Sequence, residues 1–113
     1  ASVVVDLSDM TGIVDFDPAA MTLTVRAGTT WEEIYEVLRP QGLRLPFFGT
    51  FSGRRATVGG GLSNGAVFFG TARYGTAADN TLGIEVVCAD GPGQEGVGLA
   101  LVGEGAGEAG FLE

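Results

Sequence analysis

The stretch Thr57-Val58-Gly59-Gly60-Gly61-Leu62-Ser63-Asn64-Gly65 is where this sequence is best equipped to hold a ligand. Glycine costs conformational entropy on folding and gives nothing to pack, so a run of it marks a positive φ or a backbone that something must approach closely. Bare amides ahead of a helical turn form an anion or dipole site, and missing Cβ atoms let a flat ring or a phosphate lie against the chain. The competing reading is a tight turn or close packing of the chain on itself. Other chemistry is sparse. The sequence has no histidine, so neither an imidazole base nor a histidyl link to a cofactor comes from it. Its single cysteine, Cys88, sits beside Val86 and Val87 and reads as packing, because a reactive thiolate needs an exposed, electropositive setting. Arg54 and Arg55 could meet a phosphate or a carboxylate, although a solvated loop pair is the ordinary reading.

A second glycine pattern is a decoy. Gly105-Ala106-Gly107-Glu108-Ala109-Gly110 fits G-x-G-x-x-G after the apolar run Leu99 to Val102. The dinucleotide fingerprint also needs a following helix and an acidic residue about 20 positions on, and the sequence ends at Glu113.

The elements that would carry the glycine run read as follows. Val3 to Leu7 and Gly12 to Phe16 are β-branched runs expected as strands. Asp17-Pro18-Ala19-Ala20 supplies turn chemistry, and the alternation of Thr22 to Ala27 predicts a half-buried strand forming a hairpin with 13–16. Thr30-x-x-Glu33 is a capping box opening a helix whose apolar stripe is Trp31, Ile34, Tyr35 and Leu38, stopped by Pro40 and Gly42. After a loop over 47–56 and the glycine run, Ala66 to Phe69 is expected to continue a short helix. Arg73-Tyr74-Gly75 marks a turn, Asp79 a cap, and Leu82 to Ala89 a strand closed by Asp90-Gly91. Residues 92–113 change character to a Gly/Glu-rich tail with one possible strand from Val97 to Val102. This order predicts an α+β domain and argues against a regular βαβ array.

Composition sets the outer bounds. The 113 residues suffice for one domain with a core. Twenty glycines exceed the usual level of about 7%, yet there is no strict period and hydrophobics stand at 45%, so the chain is globular and loop-rich. Net charge is −8 and all six basic residues are arginine, which disfavours a nucleic-acid partner. Phosphate would then be held mainly by backbone amides and helix ends. One cysteine forbids an internal disulfide and makes a cytoplasmic home the default, and no apolar run is long enough to cross a bilayer.

Several motifs in register point further. Val5-Asp6-Leu7-Ser8-x-Met10, Val25-x-Ala27-Gly28-Thr29, Gly42-Leu43-x-Leu45-Pro46, Ala56-Thr57-Val58-Gly59-Gly60, Arg73-Tyr74-Gly75, Asp79 and Leu82 through Gly91 resemble the FAD-binding domain of the vanillyl-alcohol oxidase and p-cresol methylhydroxylase (PCMH-type) flavoprotein family. The resemblance covers residues 3 to 91 almost continuously and matches the latter half of that module. It implies an FAD cofactor lined by Thr57, Gly59, Gly60, Ser63, Asn64 and Gly65, with Ser52 and Gly53 in the preceding loop as weaker candidates. It also implies an oxidoreductase moving hydride from an alcohol, hydroxy acid or amine to the flavin. Substrate residues are expected on a cap domain, and the pyrophosphate-gripping loop on a complementary FAD-domain half, in the same parent chain or a partner subunit.

The departures are specific. Where family members carry small residues this chain has Gly65-Ala66-Val67-Phe68, and Phe47-Phe48-Gly49-Thr50-Phe51 replaces a proline-rich stretch. Two bulky side chains either crowd the ring face or build a different pocket wall. They leave open the alternative of an interaction or scaffold domain that keeps the fold without the cofactor. A peptidoglycan-precursor reductase of the same superfamily shares the paired-glycine element but fits the loop detail less well.

Overall fold

The computed structural model describes residues 2–46, 51–86, 97–100 and 102–103. The expected hairpin is present as β1 (Ile13–Asp17) and β2 (Thr22–Val25), antiparallel with Phe16 opposite Leu23. Its turn is closed by Asp17, whose Oδ1 accepts from the Ala19 and Ala20 amides at 3.0 Å each. The alternation in β2 divides cleanly: Leu23 and Val25 are fully buried while Thr22 and Thr24 are half-buried on the other face.

Helix α1 (Trp31–Leu38) follows from its sequence with little help from elsewhere. Thr30 Oγ1 accepts from the Glu33 amide at 3.3 Å and Glu33 Oε2 accepts from the Thr30 amide, so both halves of the capping box are made. Trp31, Ile34 and Leu38 point inward and join Leu23, Val25, Leu45, Val58 and Ala77 in the buried core. Pro40 lies in a 3₁₀ turn over Arg39–Gln41, and Gly42 at φ 68° ends it.

The capping box has a pH signature. Glu33 accepts from the Thr30 amide and, through Oε1, from the Thr11 hydroxyl at 2.9 Å. The amide contact, with the hydroxyls adding to it, holds its carboxyl below the usual 4.5 despite some desolvation. A depressed folded-state value means stability that is present above the unfolded value and is lost as pH falls through the folded one. Thr30→Ala should cost about 1 kcal/mol at neutral pH. Glu33→Gln should flatten the loss of stability that the parent shows below about pH 4.5, read as urea midpoints across an acid series.

The sheet is completed from far along the chain. β5 (Val97–Ala100) pairs antiparallel with β2, Leu99 opposite Leu23, and β4 (Thr81–Gly83) pairs on its other side, giving the order β1-β2-β5-β4. β3 (Leu43–Arg44) pairs with β6 (Val102–Gly103). The run expected as one possible strand thus supplies two, one of them inside the sheet. The α+β class stands, with every pairing antiparallel.

Three expectations are corrected. Val3 to Leu7 forms no strand: Val3, Val4 and Val5 are 90%, 88% and 76% exposed, and β-branched residues make a strand only against a neighbour. Ala66 to Phe69 is not helical, because the glycine run is itself helix α2 (Val58–Ser63) and Gly65 at φ 61° turns the chain out of it. Of Leu82 to Ala89, only the first part of the run lies in β4, and residues 84–86 are irregular. Cys88, Asp90-Gly91, the Phe47–Thr50 stretch and the glycine pattern at 105–110 lie outside the described residues. Among the described residues no helix is long and apolar enough to cross a membrane.

Candidate functional site

The glycine run is placed by a zipper between two segments. The Trp31 amide donates to Ala56 O at 3.3 Å, Val58 N to Thr29 O at 2.9 Å and Gly59 N to Ala27 O at 2.9 Å, with Thr30 and Thr57 forming an antiparallel bridge. Two helices therefore start side by side. Thr57 caps α2 as Thr30 caps α1, its Oγ1 accepting from the Gly60 amide at 3.1 Å.

This arrangement corrects the expectation that the glycine amides face a ligand. Gly59 N is taken by Ala27 O, Gly60 N by Thr57 Oγ1 and Gly61 N by Thr57 O. Two of the three glycines answer to packing. A Cβ on Gly59 would stand 2.9 Å from Ala27 Cβ and 3.0 Å from Ala27 O, and one on Gly61 would stand 3.0 Å from Trp31 Cζ2. Gly60 differs: it is exposed, and a Cβ there would meet only the Thr57 hydroxyl, at 3.0 Å. The run offers a ligand bare surface at Gly60 rather than donors.

That surface lines a cleft of about 480 Å³ bordered by Thr57, Gly60, Gly61 and Asn64 on the α2 side, Trp31 beneath, and Ala66, Val67 and Phe68 opposite. Phe68 meets Trp31 edge-on, with centroids 5.2 Å apart and planes at 68°, and packs against Gly61. Of the two alternatives left open for this bulk, the structure has the pocket wall: Phe68 is half-buried against Trp31 and Val67 is 69% exposed. A second cleft of about 490 Å³ adjoins it, lined by Ser8, Thr11, Gly28, Thr30, Glu32, Glu33 and Arg54. Arg55 and Thr57 line both.

The predicted residues separate on this geometry. Thr57, Gly60 and Asn64 line the first cleft, Gly59 is packed behind it, and Ser63 and Gly65 are exposed at the end of α2 without lining either cleft. Ser52 and Gly53 lie in a 3₁₀ turn over Phe51–Arg54, Gly53 3.8 Å from Trp31 Cβ by its would-be Cβ. Sequence reasoning assigned Trp31 to the core alone, yet it is both core and cleft floor. Tyr74 lines neither cleft; its ring lies 5.7 Å from the Arg44 guanidinium and 5.4 Å from that of Arg73. Asp79 is the expected cap: its Oδ2 accepts from the Thr76 amide at 2.7 Å, chiefly through which its carboxyl is held below 3.8.

The family model described as "FAD binding domain" matches residues 1–95. The chain belongs to that family. It is 35% identical over 91 residues to a mitochondrial D-lactate dehydrogenase [cytochrome] 1 of Saccharomyces cerevisiae, covering 80% of this chain and 15% of that protein. It is 36% identical over 93 residues to an FAD-dependent monooxygenase of Emericella nidulans, covering 80% of this chain and 18% of that one. Among solved structures it is similar to alkyldihydroxyacetonephosphate synthase, with a TM-score of 0.73 at 18% identity over 83% of this chain and 21% of that chain, a likeness of fold. The chain thus spans less than a fifth of the curated relatives' lengths.

The resemblance to PCMH-type flavoproteins is borne out, and FAD is the family's cofactor. The residues of this FAD-binding domain suit such a group. Phe68, Val67 and Ala66 offer an apolar wall, Gly60 a face without a side chain, and Thr57, Asn64 and Arg55 polar groups along the rim. Thr57 Oγ1, already an acceptor, keeps its proton to donate, and no hydrogen bond occupies the side-chain carboxamide of Asn64 among the described residues, its backbone N–H donating to Gly60 O.

Proposed function

We propose that this chain is the FAD-holding part of a flavin-dependent oxidoreductase, its isoalloxazine lying in the cleft between α2 and the Ala66–Phe68 wall. Bound FAD supplies a two-electron acceptor for hydride from the C–H of an alcohol, hydroxy acid or amine. This chain's residues orient and shield it: Gly60 lets the ring approach the helix, Phe68 closes the far side, and Thr57 and Asn64 meet its polar edge. The complementary FAD-domain half and the substrate domain belong to the parent chain or a partner subunit, in keeping with the small share of the relatives that this chain spans. A hydroxy acid substrate is supported by the D-lactate dehydrogenase relative.

The observation that carries this reading is the bare Gly60 surface opposite an aromatic wall within a chain matched by the FAD binding domain model. The sequence has one tryptophan, Trp31, and it forms the cleft floor, so it is a built-in reporter. Titrating the purified chain with FAD should quench Trp31 emission saturably but with low affinity, because the complementary half supplies the rest of the cofactor's contacts. Emission that falls only linearly with added flavin, with no saturable component, sinks the proposal in favour of a cofactor-free scaffold domain.

A further inference from the structure

Arg54 and Arg55 are neighbours with the same local sequence surroundings, yet the fold gives them different partners. Arg54 Nε lies 3.4 Å from Glu32 Oε1, an ion pair at the surface. The other carboxylate of the adjoining cleft, Glu33, is engaged by Thr11 and Thr30. Arg55 has no carboxylate, carbonyl or ring partner among the described residues. It lines both clefts, sharing the first with Gly60, Trp31 and Phe68.

We infer that Arg55 is an anion-binding residue, holding a phosphate or carboxylate group of a ligand whose flat ring occupies the Gly60–Phe68 cleft. This rests on the FAD reading above and adds the charged contact that reading lacks. A chain of net charge −8 repels an anionic ligand at long range. The α2 amides are already used, so recognition of an anion falls to a side chain. A guanidinium presents several donors in a plane matched to phosphate or carboxylate oxygens, and a charge-assisted pair of this kind is worth roughly ten- to a hundredfold in affinity. The anion comes from the cofactor's pyrophosphate or from a substrate carboxylate.

Four probes separate these cases: inorganic pyrophosphate, FAD, uncharged riboflavin, and D-lactate added with and without FAD. Readouts are Trp31 emission and the Arg55 Nε–H resonance. If the cofactor supplies the anion, pyrophosphate and FAD shift the Arg55 resonance, FAD binding weakens from 50 to 200 mM salt, and Arg55→Ala loses pyrophosphate binding and about tenfold or more in FAD affinity. Riboflavin affinity stays unchanged and Arg55→Lys recovers part of the loss. If the substrate supplies it, FAD binds both forms alike and D-lactate shifts the Arg55 resonance only with FAD present. Arg55 is exposed, so unchanged melting of Arg55→Ala checks that the fold is intact. An unmoved Arg55 resonance with all four probes, and equal affinities in Arg55→Ala, overturns the inference. Saturable quenching of Trp31 by riboflavin and FAD in that same experiment would leave the flavin reading standing.

Discussion

Gly28→Ala should destabilise the chain by about 3 kcal/mol or more, because the added methyl group meets backbone that cannot move aside. The Leu7 to Met10 turn, closed by Met10 N donating to Leu7 O at 2.8 Å, lies directly over Gly28, whose own amide donates to Met10 O at 2.8 Å. A Cβ at position 28 would stand 2.0 Å from Leu7 O and 2.7 Å from Met10 O. Both are backbone atoms, so no rotamer change relieves the overlap. Either the turn lifts off, or the chain between β2 and α1 shifts and pulls on the Ala27–Gly59 bond. Natural domains hold only about 5–15 kcal/mol in reserve, so a loss of this size is a large part of the total. Gly53→Ala is the matched control, since its Cβ would meet Trp31 Cβ at an ordinary 3.8 Å. Urea midpoints should fall steeply for the first and hardly move for the second. A Gly28→Ala protein that melts with the parent would show that the 7–10 turn does not hold the position described.

Gly60→Leu should remove FAD affinity by tenfold or more and leave the fold standing. The leucine Cβ meets only Thr57 Oγ1, a side-chain atom free to rotate, and the rest of the side chain extends into the cleft. Losing the cap hydrogen bond costs about 1 kcal/mol, while replacing glycine inside a helix returns a similar amount. Stability is therefore expected to change by less than about 1 kcal/mol. Gly59→Leu and Gly61→Leu should behave in the opposite way, failing first in folding because Ala27 and Trp31 already occupy the needed space. Trp31 quenching by FAD, measured beside thermal melts for the three variants, distinguishes a ligand-facing glycine from two packing ones. Full FAD affinity in Gly60→Leu would move the isoalloxazine away from this cleft.

Elements whose causes are local were legible in the chain itself. The Thr30-x-x-Glu33 box, the Trp31-Ile34-Leu38 stripe, the Thr22–Val25 alternation and the Asp79 cap all carry their physics within a few residues, and each has its expected structure. The glycine run does not. Three consecutive glycines are poor helix formers, and α2 exists because Val58 is driven into the core and residues 56–59 zip onto 27–31, contacts made across dozens of residues. Val3 to Val5 fails in the reverse sense: strong β propensity with no strand alongside to pair it among the described residues. The candidate site was half legible. Thr57, Gly60 and Asn64 follow from the motif, but only the fold sets Glu32 against Arg54 and leaves Arg55 over the clefts.

The position of β5 carries a consequence for how the molecule is made. Its residues arrive from the ribosome after nearly everything else described, yet Leu99 must slot between Leu23 and Thr81. Until then the outer edge of β2 is open and β4 has no strand partner among the described residues. Such late, long-range closure is slow in general and leaves strand edges available for wrong pairings meanwhile. Synthesis rate and chaperone supply should therefore govern soluble yield more strongly than the finished domain's stability does.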